Sequence, residues 1–140
     1  MGPLPPEFRW ALEIRNKFWI TQPLLDLLKE KNVAFTLIDQ SWMTRISDLL
    51  QKFDLDTAEF AYIRWLGDRK GIKQITKSWD RVVVDREEDL KQWVIPVRTL
   101  LGRSRVVFGF FNNHYAGHAP ASLEMFLRLM DSEKQPEPVF

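Results

Sequence analysis

Apolar and polar positions along the chain switch between two periods. Phe8, Trp10, Leu12 and Ile14 alternate with Arg9, Ala11, Glu13 and Arg15. That alternation predicts a strand over residues 8–14 with one apolar face and one charged face. Thr21 can cap a following helix, Pro23 suits its first turn, and Leu24, Leu25, Leu27 and Leu28 form its apolar side. Lys29 and Lys31 suit its C-terminal dipole and Asn32 can stop it. A second strand is predicted over 33–38, ending at Asp39, with a helix over 45–53 carried by Ile46, Leu49, Leu50 and Phe53. A third strand, 60–65, runs into a Gly-Asp-Arg-Lys-Gly loop at 67–71. Asp85 and Glu88 have capping-box spacing for a helix from Arg86. Its stripe is Leu90, Trp93, Val94, Val97, Leu100 and Leu101. Pro96 should kink that helix, and Gly102 sits where a C-cap belongs. The fourth strand is 106–111 and the last helix 120–130. Residues 1–131 read as one domain and 132–140 as a flexible tail.

Strands two to four are apolar on both faces. Alternating with helices, they predict an α/β fold built of parallel (β/α) units. Ligands of such folds bind beyond the carboxyl ends of the strands. Glu13 and Arg15, Asp39, Tyr62 and Arg64, and then Asn112, Asn113, His114 and Tyr115 stand at those ends. An apolar run that stops at two amides, an imidazole and a phenol therefore marks the functional face.

Composition narrows the classes. Of 140 residues, 45% are hydrophobic, and 20 Lys and Arg against 19 Asp and Glu leave a formal charge of +1. One domain with a real core follows, and the near-neutral balance makes nucleic acid an unlikely partner. Absence of cysteine excludes disulfides and thiolate chemistry. No signal-peptide pattern opens the chain, and no apolar run approaches the ~20 residues needed to span a bilayer. A cytoplasmic protein with no membrane association is expected.

Four segments then point to a family. Glu13 to Trp19 (EIRNKFW), the strand end at Asp39, Tyr62 to Arg69 (YIRWLGDR) and Phe111 to Pro120 (FNNHYAGHAP) resemble the YecE-like domain-of-unknown-function family, number seventy-two, in family order. Leu66 stands where that family often has histidine before the glycine. The resemblance implies a TIM-like barrel and site residues at its strand ends; it implies no reaction. It covers roughly the later half of the family pattern. The expected architecture is thus the C-terminal half of a TIM-like barrel with about four strands. Completion is expected from a second copy, as a homodimer, or from a missing N-terminal half.

The chemistry expected at the strand ends has two readings. In the first, the chain binds a small polar or phosphate-bearing ligand. Glu13 and Asp39 form a carboxylate pair for hydrolysis or isomerisation, and Arg15, Tyr62, Arg64, Asn112, Asn113, His114, Tyr115 and His118 serve as ligand contacts. One of the two asparagines is expected to be structural and the other to face the site. Loops after barrel strands seven and eight often hold phosphate, and Arg64, Arg69, Lys70, the Gly71 amide and the helix near Pro120 fit that scheme. Trp19 and Trp65 could stack on a ring. In the second reading the polar cluster is structural glue in a non-enzymatic interaction module, with Glu13–Arg15 as a salt bridge. His114 and His118 are four apart, but with Gly117 between them in a loop no metal site is expected. No cofactor follows from these residues.

Overall fold

The expected alternation is present in the computed structural model, which describes residues 2–132. The chain order is β1 (Trp10–Leu12), α1 (Gln22–Glu30), β2 (Val33–Phe35), β3 (Leu37–Gln40), α2 (Ile46–Lys52), β4 (Phe60–Gly67) and α3 (Arg69–Ile75). It continues with α4 (Glu87–Gly102), β5 (Val106–Phe111), α5 (Asn113–Ala116) and α6 (Ala119–Ser132). Pairing is parallel throughout: β1 with β2, β3 with β4, β4 with β5. The result is a partial TIM-barrel-like α/β fold.

The second expected strand is split. β2 and β3 lie in different sheets, divided at buried Thr36, whose amide still donates to the Leu12 carbonyl at 2.9 Å. At the foot of the sheet β2 bonds a side chain. The Phe35 amide donates to the Thr57 hydroxyl at 2.8 Å, and that hydroxyl donates to the Val33 carbonyl at 2.7 Å. One hydroxyl so satisfies a donor and an acceptor that a neighbouring strand would otherwise take.

Helix ends differ from expectation in instructive places. Thr21 is the N-cap residue of α1 but makes no side-chain cap bond, while Asn32 adopts φ 53° just past the helix. The capping box at α4 does not form. Asp85 accepts from the Glu87 amide at 3.0 Å, and Arg86 occupies the N-cap position. Gly102 is the last helical residue, and Ser104, at φ 62°, takes the left-handed turn. α4 continues through Pro96. The loop expected at 67–71 is mostly helix, because Asp68 caps α3 at once. The loop expected after β5 contains α5, capped by Asn112. The tail expected over 132–140 lies outside the described residues apart from Ser132, which ends α6.

The main core lies between the outer sheet face and the helices, where Ile63, Leu90, Trp93, Val94 and Tyr115 are almost fully buried. Trp65 stacks on Phe111 with ring centroids 4.2 Å apart. Gly109 makes room for it: a Cβ there would lie 2.8 Å from the Trp65 ring. Tyr62 and Arg64 pair in register with Phe108 and Phe110. This places them on the inner face, where Arg9 lies over the Phe60 and Phe108 rings at 5.8 and 5.5 Å. The apolar face expected on the first strand is largely uncovered. Phe8, Trp10 and Leu12 are exposed, and only Ile14 enters the core. Among the described residues no helix is long and apolar enough to cross a membrane.

Candidate functional site

The expected site residues divide between the two faces of the sheet. Glu13 follows β1 directly and points inward. Arg64 donates to its Oε2 at 2.5 Å and Arg15 to its Oε1 at 2.9 Å. Glu13 and Arg64 are half-buried and Arg15 is exposed. Tyr62 lies on the same inner face with its ring 5.3 Å from that of Phe110. Trp19 is exposed on the short 3-10 turn at Lys17–Trp19, which follows the strand.

Asp39 does not join them. Its register partner on β4 is Trp65, not Arg64, so its side chain turns toward the helices. There Trp93 Nε1 donates to Oδ2 at 3.1 Å and the Tyr115 hydroxyl donates to the same oxygen at 2.9 Å. Among the described residues Oδ1 makes no hydrogen bond. Burial pushes the Asp39 carboxyl above its ordinary value, the two donors pull it back, and the charges of Asp89 and Arg86 act in opposite senses. Burial, with Asp39 adjacent, likewise raises the Tyr115 phenol. The carboxylate pair expected from Glu13 and Asp39 is therefore not assembled within one chain.

A cavity of about 190 Å³ opens beside Asp39. Its walls are the end of β3 (Ile38, Gln40), the following loop (Ser41, Met43, Thr44, Arg45), Gly67, and the first turns of α4 with Arg86, Asp89, Gln92 and Trp93. Asp89 accepts from both Arg45 and Arg86 at 3.2 Å, and with Asp39 it sets two acidic side chains against two basic ones in the cavity wall. Gln40 Oε1 is buried with no hydrogen-bond partner. Gly67 shapes this wall: its φ is +71°, and a Cβ would lie 2.8 Å from the Tyr115 Cα. Arg86 fixes Tyr115 from the other side, donating to its carbonyl at 2.8 Å and lying over its ring at 5.1 Å. Sequence reasoning missed Gln40, Asp89 and the polar role of Trp93. Arg86 had been noticed only as a helix start, and Trp93 is concealed within the apolar stripe of α4.

The segment after β5 is built for structure. Asn112 Oδ1 accepts from the His114 amide at 2.9 Å and lies 2.6 Å from His114 Nδ1, and Asn113 Oδ1 accepts from the Ala119 amide at 2.8 Å. Both asparagine oxygens are thus engaged with the backbone, where one was expected to face the site. His118 Nδ1 lies 3.0 Å from the Trp79 carbonyl. Burial lowers the His114 pKa, and Arg69 and Lys73 lower it further. Tyr115 is completely buried and Trp65 nearly so; stacking of Trp65 on a ligand is replaced by stacking on Phe111. The Gly71 amide, expected to hold phosphate, donates instead to Asp68 at 3.0 Å. Arg69 and Lys70 are exposed on α3. Among the described residues no group of three or more His, Asp and Glu side chains is arranged to hold a metal.

Comparison with known proteins places this arrangement in a family. No curated protein matches the chain. Its fold is similar to a DUF72 family protein from Thermotoga maritima, with a TM-score of 0.62 and 22% identity, over 89% of this chain and 46% of that one. The chain thus spans about half the length of that structure. A family model described as "Protein of unknown function DUF72" matches residues 1–139. Sequence and fold agree, and the chain belongs to the DUF72 family.

Proposed function

We propose that the chain binds a small, neutral, hydroxyl- or amide-bearing ligand in the cavity beyond the end of β3, with Asp39 as its principal contact. The observation that carries this reading is an unpartnered acceptor at a polar cavity: among the described residues the buried Gln40 Oε1 has no donor, and Asp39 Oδ1 on the same wall has room for further donors. An O–H or N–H ligand supplies them. The cavity's two basic side chains, Arg45 and Arg86, are matched by its two acidic ones, Asp39 and Asp89, so the walls favour hydroxyls over phosphate. Proton transfer in this reading falls on Asp39, because Glu13 lies on the other face and burial raises the Asp39 carboxyl above its ordinary value. The ion-paired state of Glu13, Arg15 and Arg64 supports the alternative, a structural role, for that second cluster.

A thermal-shift screen of polyols, sugars, amides and phosphate at constant ionic strength tests the reading. A ligand at ~100 times its Kd adds about 2.7 kcal/mol of stability. Asp39→Asn should abolish the shift and Arg64→Ala should keep it. A shift that survives Asp39→Asn, or one given by phosphate alone and lost on changing Arg69 and Lys70, places binding elsewhere.

A further inference from the structure

In a run of (β/α) units, each helix packs over the groove between its own strand and the next one, as a right-handed crossover requires. α6 follows β5, the last strand of this sheet. Its buried side carries Ser122, Phe126 and Leu129; one position round the helix, Leu123 and Leu127 are 44% and 52% exposed, one turn apart. At the other edge β1 has the opposite deficit. Its outer face, Phe8, Trp10 and Leu12, is 62%, 37% and 38% exposed. One edge is a helix lacking a strand; the other is a strand lacking a helix. Among the described residues nothing pairs with either outer backbone edge, and the two edges point the same way, since every pairing is parallel.

We infer that the occupant is a second copy of this chain, joined twice. The β5 edge of each copy pairs in parallel with the β1 edge of the other, and each α6 lays Leu123 and Leu127 over the partner's bare outer strand face. Four strand positions per copy, counting β2 and β3 as halves of one, make the eight that close a TIM-like barrel. Two-fold closure also removes the open edges that an endless head-to-tail chain would keep. The joint completes the inner rim: Glu13 and Arg64 gain the carboxyl end of the partner's β5 on their open side. The Asp39 cavity, on the outer face, does not take part in it.

Light scattering on the full chain at micromolar concentration should give twice the monomer mass. A compact, cooperatively unfolding monomer overturns the inference, and so does a chain that is soluble only with a different protein. The chain lacks cysteine, so Leu12→Cys with Leu127→Cys introduces thiols only on β1 and α6, the two elements that the joint brings together between copies. A short bifunctional thiol reagent should yield covalent dimers; no cross-link, or a ladder of larger species, contradicts two-fold closure. Leu123→Asp with Leu127→Asp changes only exposed positions. It should keep the far-ultraviolet circular dichroism and release monomers; a dimer that survives it places the joint elsewhere.

Discussion

A carboxylate in a sheet can be spent in two ways, and Glu13 and Asp39 show both. Glu13 is held by two cations near solvent. Asp39 is held by two neutral donors in the core, and burial is the largest influence on its pKa. Its folded pKa is raised, so stability contributed by the protonated form is fully present below about 3.8 and is lost as pH rises through the folded value. Tyr115→Phe removes one of the two donors. Above the folded pKa, where the acceptor is charged, the loss should cost about 1.5–3 kcal/mol; below it the loss should shrink toward the ~1 kcal/mol of a neutral bond. Urea unfolding at the two pH values measures both, and an equal cost at each would mean that Asp39 is not the charged partner. None of this could be read along the chain. Asp39 and Tyr115 are 76 residues apart, and the phenol counted as a ligand contact only because it follows a strand end.

At the level of elements, strands and helices were legible where a period runs uninterrupted. β5 has the expected limits, and α2 falls within the expected span between its flanking Arg45 and Phe53. The reading failed where a side chain replaced a backbone partner, as Thr57 does for β2, or where a local cap created a helix inside a polar stretch, as Asp68 and Asn112 do. The strand glycine at 109 is a further case, since its meaning depends on a ring from the neighbouring strand. Replacing a strand glycine by alanine ordinarily stabilises by about 0.5–1 kcal/mol. Here the new Cβ would meet the stacked Trp65 ring at 2.8 Å, and overpacking of a filled core costs about 1–3 kcal/mol. The second effect should win. Gly109→Ala is expected to lower the denaturant midpoint, and a stabilised variant would show that the ring moves aside freely.

The whole molecule keeps its two ends for different purposes. At the foot, the Asp56 side chain is only 8% exposed and receives Arg103 and Arg105, each at 3.1 Å, joining the approach to β4 with the approach to β5. Asp56→Ala removes the carboxylate shared by two partly exposed guanidiniums and should cost about 2 kcal/mol, less than the 3–5 of a fully buried pair. Equilibrium unfolding measures it, and the Asp39 cavity should keep its ligand response in the folded variant. At the other end, the polar residues gathered by strand direction were legible as a group, but their division between faces was not. It turns on the one-residue alternation at the end of β3, and the break at Thr36 sits within the segment that had been read as one strand.

The Glu13–Arg64 ion pair has a mechanical meaning as well. Backbone bonding leaves the sheet in two pieces, with β1 in one and β4 in the other. The pair reaches over the strand between them, and Arg9 does the same lower down by covering the rings of Phe60 and Phe108. These two contacts act as chords across an arc, tied at different heights. Side-chain chords thus reinforce an arc that the backbone joins only at Thr36. Concentrated salt, which weakens an ionic chord more than a cation–ring one, should therefore let the rim splay while the foot keeps its bend.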